Sequence, residues 1–246
     1  MLWIDIETLP AIEKPDLESL EPPKTHKKPE TIQQWREENQ DKVWREQALD
    51  SMAGRICCIS YALSNGPTHC LGIWSMSEYE ILRTLDEQAQ SSMSRNKANV
   101  IQWGGFNHKS FDMNWIWHRA VKYDLPTLID FIPRSRYDRN LFDVRDLWTG
   151  GDTYGKGTLY GIARYLGYPV YEDMDGGQVL DRYLAGDFET IEKYNRYDVE
   201  LTRSIAHDFG KGNPPSKHRD FVRNYFPDWQ FSTYEDRATK KVSNHA

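Results

Sequence analysis

The chain has 246 residues, 39% apolar and 13% aromatic, enough to build a core and to exclude wholesale disorder. No apolar run approaches the roughly 18–20 residues of a membrane span, and three cysteines, two of them adjacent, exclude a disulfide framework and fit a reducing compartment. The net charge of −6 argues against binding polyanions by bulk charge, so such a ligand must be met by local basic patches or bound cations.

Taken in chain order, Leu2 to Thr8 reads as a strand, with Leu2, Ile4 and Ile6 on one face and Trp3, Asp5 and Glu7 on the other. The opening MLWIDIETLP has no basic start, long apolar run or small-residue cleavage site, so no secretory signal is expected. Residues 9–30, rich in proline and charge, predict an exposed loop. Thr31 to about Asp50 predicts a mostly polar helix with Ile32, Trp35, Val43, Trp44 and Leu49 as apolar contacts, ended by Gly54. Ile56–Leu63 and Cys70–Trp74 read as a hairpin around Ser64-Asn65-Gly66-Pro67.

Ser77 to about Gln90 predicts a helix with a Ser77/Glu80 capping box. Asn99–Trp103 reads as a strand closed by Gly104-Gly105, and a helix follows from about Ser110 to Tyr123. Further helices are expected over Thr158–Leu166, Gly177–Leu184 and Phe188–Phe209, the first ended by Gly167 and the last by Gly210. This order suits an α/β domain with a mixed sheet, and the early hairpin argues against an all-parallel, doubly wound fold.

Three segments carry chemistry. The two-residue spacing of Asp5 and Glu7 sets both carboxylates on one face of a strand, roughly 7 Å apart along the chain. On a central strand they repel and lose hydration, a cost that a divalent cation removes; on an edge strand they would simply face water. Ile191, Tyr194, Asp198, Leu201 and Ile205 form one stripe on a helix, with Asp198 where a core helix wants leucine. It needs a strong partner, either a cation or a buried arginine. Tyr194 lies one turn earlier, within reach of whatever Asp198 holds. Asp112 falls in the first turn of a helix, where dipole stabilisation alone is a sufficient reason for an acid. Asn107 precedes it in a loop and suits either a phosphate contact or a turn.

Together, Asp5-Ile6-Glu7-Thr8, Asn107-His108-Lys109-Ser110-Phe111-Asp112 and Tyr194-Asn195-Arg196-Tyr197-Asp198 resemble the three motifs of the DEDD exonuclease superfamily, in order and spacing over residues 1 to about 209. The stretch from Gly157 to Thr202 looks closest to predicted 3′-5′ exonucleases related to the proofreading domain of family B polymerases. The histidine branch of the superfamily needs His five residues before the last Asp, where Lys193 stands; the tyrosine branch needs Tyr four before it, where Tyr194 stands.

The resemblance implies a ribonuclease-H-like α/β fold, a mixed sheet flanked by helices. Residues 1–210 would form the exonuclease domain, with a helical insertion at about 10–55 and a C-terminal extension over 211–246. It implies a two-metal 3′-5′ exonuclease releasing nucleoside 5′-monophosphates, with Asp5, Glu7, Asp112 and Asp198 holding two divalent ions, Mg²⁺ with Mn²⁺ as substitute. Asp5 would bridge both ions, Glu7 and Asp198 would complete the first site, and Asp112 would serve the second. Tyr194 would orient water. Thr8, Leu9, Asn107 and Phe111 are the expected substrate contacts, Leu9 as a wedge against the terminal base or else a loop anchor. Single-stranded DNA is the expected substrate, with RNA as a further candidate. Replication or repair proteins are the expected partners, no membrane is involved, and the expected location is the cytoplasm of a bacterial or phage-infected cell. A non-catalytic nucleic-acid-binding module on the same fold is the alternative.

Other features carry less. Phe106 and Phe111 suit core packing more than base stacking, and Lys24–Lys28 suits a solvated charge run more than a substrate entrance. The tail interleaves Lys217, Arg219, Arg223, Lys240 and Lys241 with Phe221, Tyr225, Phe226, Trp229 and Phe231, which suits single-strand binding or docking on the core. Gly150-x4-Gly155-Lys156 imitates a phosphate loop but continues with Gly157 where Ser or Thr is needed. Cys57-Cys58 lacks partners at zinc spacing.

Overall fold

The N-terminal strand, β1 (Leu2–Leu9), is the middle strand of a five-stranded sheet. The other strands are β2 (Arg55–Leu63), β3 (Thr68–Gly72), β4 (Trp103–Gly105) and β5 (Leu141–Asp143), in the order β3-β2-β1-β4-β5. The computed structural model describes residues 1–96 and 100–209, so the tail and its basic and aromatic residues lie outside the described residues. β2 pairs antiparallel with β1 and with β3, whereas β4 runs parallel to β1 and to β5. This is the mixed sheet of a ribonuclease-H-like fold, and the expected hairpin forms β2 and β3.

Alternation along β1 builds two cores. Leu2, Ile4 and Ile6 pack with Ile56, Ile59, Trp103 and Ile116 under α2 (Glu78–Asn96), α3 (Asp112–Tyr123) and α4 (Pro126–Phe131). The opposite face carries α5 (Val144–Thr149), α6 (Leu159–Leu166), α7 (Val179–Leu184) and α8 (Phe188–Asp208). The sequence Ile56-Cys57-Cys58-Ile59 breaks a two-residue period, and the structure absorbs the break. Glu7 pairs with Cys58 but Thr8 pairs with Ile56, so Cys57 is the extra residue of a β-bulge. Both cysteines thereby join Leu9 and Tyr194 on the α8 side, while both isoleucines face α2 and α3.

α8 packs on β1, β2 and β3 and is covered from outside by α6 and α7. The expected stripe is buried, but so are Asn195, Tyr197 and Thr202 off its line. The capping box at Ser77 forms, with the Ser77 N–H donating to Glu80 at 2.8 Å and the Glu80 N–H donating to Ser77 at 3.3 Å.

Several boundaries move. The insertion helix, α1, spans Pro29–Glu46 and continues as a 3₁₀ turn over Gln47–Leu49. Leu49 is exposed, not an apolar contact, and Gly54 is not the helix stop. A side chain at Gly54 would strike the Leu9 carbonyl and the Trp115 ring, so close packing accounts for that glycine. α1 is stitched to its preceding loop by polar bonds: Arg36 donates to the Leu20 and Glu18 carbonyls, Gln40 to Pro15 and Trp44 to Ala11.

β3 ends at Gly72, against which the Trp74 ring packs. The strand expected over Asn99–Trp103 begins only at Trp103 and includes Gly104 and Gly105; residues 97–99 lie outside the described ones. Trp3 lies over Gly104 and His108 over Gly105, leaving no room for a side chain. Two short helices, α4 and α5, and the three-residue β5 escape sequence reading altogether.

The loop that leads into α3 is held by one buried carboxylate. Asp143 ends β5 and N-caps α5, accepting the N–H groups of Arg145 at 2.9 Å and Asp146 at 3.3 Å. It also accepts those of Asn107 at 2.9 Å and Lys109 at 3.2 Å, with buried His108 Nδ1 at 3.3 Å. Burial opposes its charge, but His108 and these N–H groups outweigh burial and hold its pKa below the usual value. Asp143→Ala is expected to destabilise the protein by about 3 kcal/mol in denaturant unfolding, since four N–H donors lose a charged acceptor. A loss below about 1 kcal/mol would contradict this role.

Candidate active site

Backbone geometry brings the acids together. Asp5 and Glu7 share the face of β1 that meets α8, and Asp198 projects from α8 toward them. Oxygens of Asp5, Glu7 and Asp198 all lie within 4.8 Å of one another. Asp112 arrives from the other side. β4 pairs with β1 only at Leu2 and Trp3, which leaves the rest of that β1 edge open. Asp112, the first residue of α3, fills this opening: its Oδ1 accepts the Ile6 N–H at 3.0 Å. The Asp112 side chain thus anchors to a strand next to Asp5 rather than capping its own helix.

The electrostatics of this cluster are unfavourable without a counter-charge. Burial, then the charges of Asp112, Asp198 and Glu7, push Asp5 well above the ordinary carboxylate range. Burial, then Asp198, does the same to Glu7. Burial raises Asp112 to about 6 and Asp198 to about 7. Among the described residues no lysine or arginine pairs with any of the four. The buried-arginine explanation for Asp198 therefore fails, and β1 is central rather than at an edge. Among the described residues Asp198 Oδ1 is buried without a partner at hydrogen-bond geometry, although the Tyr160 and Tyr194 hydroxyls lie near enough to offset part of the effect of burial on Asp198. Four hard oxygen donors, mutually repelling and with one orphaned oxygen, fit divalent cations.

Two phenols adjoin Asp198. Tyr194 is 8% exposed and Tyr160 packs edge-on against it, with ring centroids 6.2 Å apart. Burial first, and Asp198 second, raise both hydroxyls, so both remain protonated donors. Among the described residues the buried Tyr160 hydroxyl has no partner at bonding geometry. Asn195, fully buried, donates from Nδ2 to Asp5 Oδ2 at 2.7 Å. Sequence reasoning missed Tyr160, Asn195 and Asp143. Asn195 lies inside the quoted Tyr-x3-Asp motif but one residue off the apolar stripe. Asp143 had a legible signal, an N-cap acid before Val144 and Leu147. Tyr160 had none, since only the tertiary packing of α6 on α8 brings it to Asp198.

A cleft of about 310 Å³ opens beside the cluster, lined by Asp5, Phe106, Asn107, Phe111, Asp112 and Arg145, among others. Asn107 thus serves both readings: it takes the left-handed turn at φ 56° and faces the cleft. Phe111 lines the cleft while packing near Trp115. Thr8 and Leu9 are not brought there. The Thr8 hydroxyl donates to the Ala48 carbonyl at 2.6 Å, and Leu9 is fully buried in the cluster that holds Trp44, Cys57 and Met174. Lys193, at the histidine-branch position, pairs outward with Glu189 at 2.6 Å.

The raised carboxylate pKa values fix a sign. Between the ordinary value near 4 and about 7, the folded protein binds more protons than the unfolded chain, so stability falls as pH rises. In EDTA, the melting temperature is expected to drop between pH 5 and pH 8, and Asp198→Asn to raise it at pH 8. A flat profile, or an Asn variant less stable at pH 8, would contradict the cluster's charge balance.

Comparison with known proteins bears on the family and the fold. Residues 47–203 match the family model described as "Predicted 3'-5' exonuclease related to the exonuclease domain of PolB", a span that holds Asp112, Tyr194 and Asp198 and begins after β1. No curated protein matches the chain. Among solved structures, the family B DNA polymerase of the hyperthermophilic archaeon Pyrobaculum calidifontis is similar in fold, with a TM-score of 0.51 and 16% identity over 85% of this chain. The chain spans 24% of that polymerase's length. By the extent of the family match, the chain belongs to the family of predicted 3′-5′ exonucleases related to the exonuclease domain of family B polymerases.

Proposed function

We propose that this protein is a metal-dependent 3′-5′ exonuclease of the tyrosine-containing DEDD type, acting on single-stranded DNA by a two-metal mechanism and releasing nucleoside 5′-monophosphates. The observation that carries the proposal is the convergence of Asp5, Glu7 and Asp198 within 4.8 Å, with Asp112 anchored beside them on the Ile6 N–H. Asp5, Glu7 and Asp198 would hold one cation, and Asp5 with Asp112 the other. Bound divalent ions, Mg²⁺ or Mn²⁺, would supply Lewis acidity that activates water and stabilises the leaving 3′-oxygen.

The chain's own residues do the rest. Four carboxylates match the charge of two dications. Tyr194, a protonated donor next to Asp198, would orient the attacking water, a positioning role. Asn107, Phe111 and Arg145 line the cleft beside Asp5 and would receive the terminal nucleotide, Arg145 through phosphate. We take residues 1–210 as the catalytic unit, with 10–55 as an insertion and 211–246 as an extension. Among the described residues no helix is long and apolar enough to cross a membrane. The cytoplasm of a bacterial or phage-infected cell and replication or repair proteins are the setting and partners we assign.

Digestion of a 5′-labelled oligonucleotide with Mg²⁺ or Mn²⁺ tests the proposal. A ladder shortening from the 3′ end is expected, lost in EDTA and reduced by about 10³-fold or more in Asp5→Ala. Tyr194→Phe is expected to lower kcat by about 10- to 100-fold with KM little changed. Wild-type protein that leaves the strand intact with both metals would overturn the proposal and favour a binding module; cleavage of circular single strands would indicate an endonuclease instead.

A further inference from the structure

Asn195 connects the acidic cluster to two thiols on β2 and β3. It is fully buried. Its Nδ2 donates to Asp5 Oδ2 at 2.7 Å. Its Oδ1 faces Cys58 Sγ at 3.5 Å and Cys70 Sγ at 3.9 Å, from β2 and β3. Cys58 pairs with Glu7 ahead of the bulge and therefore shares its side of the sheet.

The two ends of an amide are nearly the same shape, so hydrogen-bond partners decide which end points where. The ionised carboxylate that would ligate a cation only accepts, and thiols donate. Two thiols therefore meet the two lone pairs of Oδ1, and the NH₂ end is left for Asp5. A flipped amide would set oxygen against the Asp5 carboxylate and NH₂ against two S–H donors.

We propose that Asn195 is a positioning residue for the exonuclease reaction: it fixes the orientation of the Asp5 carboxylate that holds both cations, and Cys58 and Cys70 set its amide the right way round. The inference rests on the reading of Asp5 as a cation ligand. Asn195 is not among the residues that line the cleft, whereas Asp5 is, so its effect passes through Asp5. Partners that orient a metal ligand commonly change metal affinity or activity by about 10- to 100-fold when removed.

Mn²⁺ binding, followed by calorimetry and by the electron paramagnetic resonance signal of free Mn²⁺, tests this apart from turnover. Asn195→Ala is expected to weaken Mn²⁺ binding by about tenfold or more and to lower kcat at saturating Mn²⁺ without raising the KM for oligonucleotide. The Cys58→Ala/Cys70→Ala pair is expected to weaken Mn²⁺ binding more than the Cys58→Ser/Cys70→Ser pair, because serine keeps an O–H donor. Should Asn195→Ala fail to fold, that comparison decides. A folded Asn195→Ala variant within twofold of wild type, or equal losses in the alanine and serine pairs, would overturn the inference while leaving Asp5 as a ligand. If wild type binds no Mn²⁺ that Asp5→Ala abolishes, the ligand reading falls and this inference with it.

Discussion

Mutual repulsion among four clustered carboxylates is the constraint around which this molecule is arranged. Asp5, Glu7 and Asp198 bring oxygens within 4.8 Å of one another, and Asp112 adds a further charge beside Asp5. No lysine or arginine among the described residues relieves them. Such a cluster opposes folding at neutral pH unless other interactions impose it. This convergence is what the proposed cation site rests on.

The structure imposes the cluster through backbone groups that have no freedom to yield. β1 is pinned on one side by antiparallel pairing with β2 along its length. On the other side β4 pairs briefly and then diverges, leaving the Ile6 N–H for Asp112. Asp143 fixes the loop before α3 through the N–H groups of Asn107 and Lys109, so α3 starts where Asp112 can reach. α8, packed on β1, β2 and β3, sets the height of Asp198. Each acid is thus placed by an element whose position is decided elsewhere in the sheet.

The elements that carry the site were legible in the sequence because each is long and periodic. Alternation marked β1, and spacings of three and four marked α8. What escaped is short or tertiary. β5 has three residues, too few to display a period, and α4 and α5 have six each. Gly104 and Gly105 resemble a turn by composition, but the Trp3 and His108 side chains packed against them make them strand. Leu9 looked available beside the acids, yet the core closes over it. Asn195 and Tyr160 owe their place to helix packing, which no local pattern encodes. The family match begins at residue 47, so the place of Asp5 and Glu7 in the site rests on the sheet itself.

Crystals soaked in Mn²⁺ and measured near the manganese absorption edge address the central claim most directly. Two anomalous peaks roughly 4 Å apart are expected, one among Asp5, Glu7 and Asp198 and the other between Asp5 and Asp112. A map with no peak within ligand distance of these carboxylates, at Mn²⁺ concentrations that saturate binding in solution, would contradict it.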